Sequence, residues 1–408
     1  QRGGWAMICN NLASLTNDQM KRYDYYIKGL NGIIDEKQLY GAALTSHYIG
    51  LNVSVLKERI NRVFNKDNLQ TFDNSQLIKN NKPRIGYISP DFNKNAVGLF
   101  SIPLIKYAKK FDVYCYYTNE KEDEFTKYFK CKNWFNVSDM NHDEIYKLIK
   151  SHNIDILVDL LPFKFHNLIN MKPAPIIINY LGFPDITYIK SYTHRIVDKI
   201  TDPYESDAEK FIHLDRTFIC FNMFPCIKPN FYEKSSSDKV YIGVFNRFDK
   251  YNDDIKKIWK TILRIKKNYI LVFKNTVNNN DYNEFPKKQT IVLPFVKTLD
   301  GYLEYFNKID FCIDTYPYSG TTTTCSALYM GVPTYTICGD THVSRVSTSI
   351  MLHLGLNEYV CSNDKEYIKK IITHKPYSKK KIRKNFLNYM DPNIFMSEYE
   401  NKLINLIS

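Results

Sequence analysis

From Pro83 onward the chain alternates short apolar runs with stretches of helical length, and it does so twice. Residues 84–89, 113–117, 154–161 and 175–181 carry apolar side chains on both faces, as strands inside a parallel sheet do. Residues 99–110 and 143–152 have helical spacing between them. Parallel neighbours need long crossovers, so this order dictates a doubly wound α/β domain. A polar, turn-rich link at 229–239, with Pro229 and the serines 235–237, separates it from a second series. There, residues 240–245, 269–273, 290–295, 311–314 and 333–337 read as strands. Residues 253–267, 299–307, 322–330 and 344–354 read as the helices between them.

The segment before Pro83 lacks β alternation. Leu56, Ile60, Val63 and Phe64 fall on one helical face, and no repeat of 30 to 40 residues is found. The expected organisation is a helical segment over 1–80, a Rossmann-like lobe over 81–228, the linker, a second Rossmann-like lobe over 240–393 and a C-terminal helix over 394–408. Open parallel sheets bind ligands outside the carboxyl ends of their strands, so a ligand is expected at those loops, in a cleft between the lobes.

Composition narrows the class. The 408 residues suffice for two domains of ~150 residues and a smaller extra piece. With 44% hydrophobic and 24% charged residues, the usage is that of a globular chain, not a disordered one. The net charge of +13 is spread along the chain among many Asn, Ile and Tyr, so neither a nucleic-acid nor a membrane partner is expected. One dense basic run, Lys379, Lys380, Lys381, Arg383 and Lys384, reads as a solvated helix face. Nine cysteines without a CxxC pair or a regular spacing to His support neither a disulfide framework nor a zinc site, so no metal is expected. There is no apolar stretch of ~20 residues and no signal-peptide core, and the expected location is cytoplasmic or nuclear. The chain opens on Gln1 rather than Met, as it would if an upstream segment had been removed.

The segment 314–333, DTYPYSGTTTTCSALYMGVP, is the sharpest loop. Gly320 permits a tight turn directly after a buried strand, and four threonines then open a helix whose first N–H groups lack partners. A hydroxyl-lined helix start of this kind is an anion site, and for a GTTTT run in a Rossmann lobe it points to phosphate. A single threonine there would read as an ordinary N-cap.

That segment resembles glycosyltransferase family 41, which contains the protein O-GlcNAc transferases and the plant SPINDLY O-fucosyltransferases, inverting enzymes of the GT-B fold. Further matches follow in order: Arg84-Ile-Gly-Tyr-Ile-Ser-Pro-Asp91, Lys172-Pro-Ala-Pro175, Leu181-Gly-Phe-Pro184, Asp198 with Pro203, Glu209-Lys210, Val244-Phe-Asn246 with Lys250, and the element 339–349 with Arg345. The resemblance runs from about Pro83 to the C-terminus. It implies a GT-B chain moving a sugar with inversion from a nucleotide donor, most directly GlcNAc from UDP-GlcNAc, to Ser or Thr of protein. GDP-fucose is the alternative donor, since PYSGTTTTC and LYMGVP lie nearer the SPINDLY pattern.

The resemblance also distributes roles. Lys250 stands where the family has a lysine on the donor diphosphate, against the plainer possibility of a surface lysine. Asn246, Arg247, Gly320, Thr321, Thr322 and Thr323 are the expected donor contacts around it. The departures are equally specific. Asn95 replaces a family histidine, Tyr302 a base-contacting histidine and Ser326 a ribose-binding carboxylate, and the Gly-His pair after Asp159 is missing. Tyr302 is expected to stack on a base and Ser326 to bond a hydroxyl. His166 is not assigned a role. Asp91 and then Asp159 are the remaining candidates for general base, although either could cap a helix instead. No cofactor or metal is implied beyond the nucleotide sugar. Because of these losses, a binding protein without catalysis is the competing reading.

Overall fold

A computed structural model describes residues 2–16, 18–30, 36–65, 82–234, 237–275 and 282–408. Ser235 and Ser236 of the expected linker, and the 66–80 part of the expected helical segment, lie outside these residues. The chain forms two compact units. The first comprises Gln1–Ser46, Leu51–Phe224 and Met390–Ser408, and the second His47–Gly50 and Pro225–Tyr389.

The first unit is built on seven parallel strands: β1 (Arg84–Ser89), β2 (Asp112–Tyr117), β3 (Asn133–Asn136), β4 (Ile156–Asp159), β5 (Ile176–Asn179), β6 (His194–Asp198) and β7 (Lys210–Leu214). Their order is β3-β2-β1-β4-β5-β6-β7. The winding therefore reverses between β1 and β4, and the loops after those two strands, with Asp91 and Asp159, flank the switch point where such sheets bind ligands. The helix Ala96–Lys106 starts three residues earlier than its apolar pattern, because the Asn95 side chain accepts the Gly98 N–H at 2.8 Å and caps it. Leu39, Val53, Ile60 and Phe64 of the N-terminal helical segment share one core with Phe163, Leu168 and Leu157 of this unit. The C-terminal helix Pro392–Ile404 belongs here too: Glu400 accepts the N–H groups of Lys109 and Lys110 at 2.8 and 2.9 Å.

The second unit has six parallel strands: β8 (Val240–Val244), β9 (Tyr269–Lys274), β10 (Thr290–Leu293), β11 (Phe311–Ile313), β12 (Thr334–Ile337) and β13 (Val360–Cys361), in the order β10-β9-β8-β11-β12-β13. Its switch point lies between β8 and β11. Trp259, on the helix Asp253–Ile265, is completely buried against Tyr251 and Phe273. Residues 225–234 pack within this unit, where the Lys228 N–H donates to Asp300 at 2.7 Å and the Asn230 N–H to Glu304 at 3.1 Å.

Four strands, β3, β6, β7 and β13, were not anticipated. β3 and β13 are edge strands of four and two residues, and β6 and β7 open on His194 and Lys210, so none presents an unbroken apolar run. The basic run also differs from expectation. Lys379 is buried, and its ammonium donates to the carbonyls of Phe306 and Asn307 at 3.1 and 3.4 Å. Arg383 lies over the rings of Phe231 and Tyr329, while Lys380, Lys381 and Lys384 remain exposed. Two of the five basic side chains are therefore packing: Lys379 buries its ammonium on backbone carbonyls, and Arg383 lays its guanidinium on aromatic faces. No helix among the described residues is long and apolar enough to cross a membrane.

Candidate active site

Asp314, the first residue after β11, organises the second unit's switch point. One carboxylate oxygen accepts the backbone N–H groups of Thr315 and Gly320, both at 2.8 Å, and the Asn246 amide at 2.7 Å. The other accepts the Thr336 hydroxyl at 3.0 Å. The loop 314–320 is thereby folded back on its own first side chain. Asn246, buried after β8, also donates to Thr315 Oγ1 at 2.7 Å. This residue, an expected donor contact, couples the β8 and β11 loops through its amide nitrogen. A methyl group on Gly320 would meet Thr324 Oγ1 at 2.6 Å and Asp314 Oδ1 at 3.3 Å, so the position requires the absence of a side chain.

The helix Thr322–Tyr329 begins where the loop ends. Its four threonines divide by function. Thr324 is buried and bonds the Ser347 hydroxyl at 2.8 Å, and Ser347 in turn donates to the Gly320 carbonyl at 2.7 Å. Thr321, Thr322 and Thr323 are half-exposed, and their N–H groups find no acceptor among the described residues. Ser319, on the preceding turn, is anchored to Val343 through both its N–H and its hydroxyl, at 3.0 and 2.6 Å. The helix His342–His353 thus props the loop from behind, and Asp314, Ser319 and Ser347 form the site from inside the segments 314–333 and 339–349, although none of the three was given a role by the sequence. For Ser347 the one signal was a series of small hydroxyl residues inside an otherwise apolar helix.

Lys250 reaches this turn from the β8 side. Its ammonium donates to the Ser319 carbonyl at 2.7 Å and sits 3.8 Å above the centre of the Tyr318 ring. It is only half-exposed, and burial pushes it down to about 8, against the pull of Asp314 and with Arg247 adding to the fall. A lysine with these partners is not a free surface side chain. Arg247 is different: it is exposed and pairs with Asp249 at 2.7 Å. The expected second phosphate contact is therefore engaged on the rim.

On the other side of the helix start, Tyr302 is half-buried and bonds the side chains of Ser326 and Thr323. Ser326 is 1% exposed, so the hydroxyl expected to meet a ribose is sealed beneath Tyr302 instead. The Tyr302 ring, expected to be an open stacking platform, carries the Lys274 ammonium 4.4 Å from its centre and packs on Phe245 and Phe306.

In the first unit, Asp91 is half-buried beside Asn95, and burial holds its carboxyl above the usual range, with Asn95 and Lys164 partly offsetting this. Asn95 therefore caps its helix and also bonds Asp91. Asp159 is completely buried, takes the Tyr192 hydroxyl at 2.6 Å and the Leu161 N–H at 2.9 Å, and is pushed up to about 6 by burial. With both oxygens engaged inside the unit, it is built to hold the β4 loop rather than to meet an acceptor. His166 is buried, with Nδ1 at 2.9 Å from the Phe163 carbonyl.

Comparison with known proteins places this geometry. The profile of Glycosyl transferase family 41 matches residues 51–241 and 232–405, well over half of the chain. The probable UDP-N-acetylglucosamine–peptide N-acetylglucosaminyltransferase SPINDLY of Arabidopsis thaliana is 29% identical over 314 residues, 70% of this chain and 34% of its own. The corresponding SEC protein of Arabidopsis thaliana is 25% identical over 319 residues, 71% of this chain and 32% of its own. The chain thus spans about a third of the length of these curated relatives. A mutant of Thermobaculum terrenum O-GlcNAc transferase superposes with a TM-score of 0.88 at 22% identity, covering 99% of this chain and 84% of that one. This likeness shows the fold, two parallel-sheet Rossmann-like lobes of the GT-B type.

Proposed function

This chain belongs to glycosyl transferase family 41, and from that premise we propose that it moves a sugar from a nucleotide donor to Ser or Thr hydroxyls of a protein acceptor. UDP-GlcNAc is the donor in this reading, in keeping with the names of the relatives. The observation that carries it is local to the second unit: the Lys250 ammonium is bonded to the Ser319 carbonyl, two residues before a helix start whose Thr321, Thr322 and Thr323 N–H groups find no acceptor among the described residues.

The chemistry follows from where charge develops. In an inverting transfer the acceptor oxygen attacks the anomeric carbon as the bond to the diphosphate breaks, and negative charge gathers on the leaving phosphate oxygens. A helix start with free N–H groups and a partly desolvated ammonium stabilise that charge more in the transition state than in the ground state. Their geometry is set in advance by Asp314, Ser319 and Ser347, so little reorganisation accompanies the reaction. The positive charge comes from the chain itself. We assign acceptor activation to Asp91, whose burial raises its basicity. Asp159 is assigned to positioning.

GDP-fucose is the second reading, supported by the PYSGTTTTC and LYMGVP pattern of the loop. Incubation with each donor and a Ser/Thr peptide library, read by mass spectrometry, tests both. UDP-GlcNAc should give a modified peptide. Modification only with GDP-fucose would transfer the assignment to that donor. Donor binding without hydrolysis or transfer would make the chain a non-catalytic nucleotide-sugar binder.

A further inference from the structure

Lys274 closes strand β9 and takes no part in the chemistry above. Its backbone is fixed: the Tyr282 hydroxyl donates to its carbonyl at 3.0 Å, and it pairs with Leu293 of β10 in the sheet. Its side chain is half-buried, yet among the described residues it has no carboxylate partner, and its ammonium lies over the face of Tyr302 at 4.4 Å. Burial alone pushes the ammonium down to about 8. A partly desolvated cation whose partner among the described residues is a ring face is costly to keep, and it retains hydrogen-bond donors to offer.

What those donors face follows from the strand order. Along the carboxyl edge of the sheet, Lys274 follows β9, Lys250 follows β8 and the phosphate loop follows β11, with β8 between the other two. Two strand spacings of about 4.8 Å separate the phosphate loop from the end of β9, a span on the scale of a nucleoside. The Tyr302 side chain bridges the same interval, with its hydroxyl on Thr323 and Ser326 and its ring under Lys274. A nucleotide held by its diphosphate on the first helical turn, and extending toward β9, brings its base to Lys274.

Resting on the donor site proposed above, we infer that Lys274 is a specificity residue whose ammonium donates to a ring carbonyl of the donor's nucleobase. An ammonium has three donors and no acceptor. Uracil and guanine present a carbonyl oxygen at the position where cytosine and adenine present an amino group, so the site takes keto-bearing bases and disfavours amino-bearing ones. Among the described residues no carboxylate lies beside Lys274, so none of them favours the amino group in exchange.

Calorimetric titration of the full chain with UDP, GDP, CDP, ADP and inorganic pyrophosphate tests this. Wild-type protein should bind UDP and GDP about tenfold or more tighter than CDP and ADP, the worth of one charged hydrogen bond. Lys274→Met should erase that ratio and leave pyrophosphate binding within about twofold, whereas Lys274→Arg should retain it. Equal binding of all four diphosphates by the wild type overturns the inference and leaves the donor site standing, and this arm is decisive even if the variant does not fold. A parallel loss of pyrophosphate in Lys274→Met makes the residue a phosphate contact and also overturns it. No binding of any diphosphate overturns the donor-site reading itself.

Discussion

The Asn246 amide donates to the Asp314 carboxylate at 2.7 Å, and the same oxygen receives the Gly320 N–H at 2.8 Å. One buried carboxylate therefore sets both the approach of the β8 loop and the turn that launches the helix Thr322–Tyr329. Asp314→Ala leaves the N–H groups of Thr315 and Gly320, the Asn246 amide and the Thr336 hydroxyl without that acceptor. Breaking a buried network of this kind should cost about 3 kcal/mol. Denaturant unfolding measures that loss, and donor binding should fall with it. A variant of unchanged midpoint would show that the loop holds its shape without Asp314.

Tyr302 and Ser326 are coupled by a hydrogen bond beneath the helix start. Tyr302→Phe and Ser326→Ala should each destabilise by about 1 kcal/mol, and the double variant by clearly less than the sum, since the second change removes a partner already lost. A double-mutant cycle in urea checks this. Strict additivity would mean that the two side chains act independently.

The pH profile follows from two groups. Lys250 must be protonated, and burial pushes it down to about 8, so kcat/KM of the free enzyme should fall as pH rises through about 8. Asp91 must be ionised, and burial holds it above the usual carboxylate range, so the acid limb should lie above that of an ordinary carboxylate. Lys250→Arg, whose guanidinium stays charged, should lose the contribution of Lys250 to the alkaline limb.

Lys379 donates to the Phe306 and Asn307 carbonyls from inside the second unit. Lys379→Met should destabilise by about 2 kcal/mol through lost packing and the Asn307 carbonyl it leaves without that donor, the Phe306 carbonyl keeping the Ile309 N–H at 3.3 Å, while Lys380→Ala and Lys381→Ala should stay within about 0.5 kcal/mol. Thermal or chemical unfolding of the three variants separates packing from solvated charge along one basic run.

Much of the fold was legible because periodicity follows burial. The central strands β1, β4, β8 and β11 carry apolar runs, whereas β3 is a four-residue edge strand bounded by Asn133 and Asn136 and β13 an edge strand of only two residues. The loop 314–320 and the helix start after it were legible as a turn for a different reason: a glycine followed by threonines after a buried strand marks a strand-to-helix turn. What the sequence hid was partnership. Nothing local in a serine at position 326 shows that Tyr302 will cover it, and nothing in Asp159 shows that Tyr192 will seal it. Those pairings join residues 24 and 33 positions apart and exist only after the sheets are wound. The same limit applied to Lys379, which spacing alone placed on a solvated face.

The most direct test of the account is the transfer rate of Lys250→Met under saturating donor and acceptor. The side chain makes one hydrogen bond and one ring contact, so the variant should fold with nearly unchanged thermal unfolding. Loss of an electrostatic group that acts on the leaving diphosphate should lower kcat by about 100-fold or more. Wild-type turnover by a folded Lys250→Met protein would contradict the placement of catalysis at this turn.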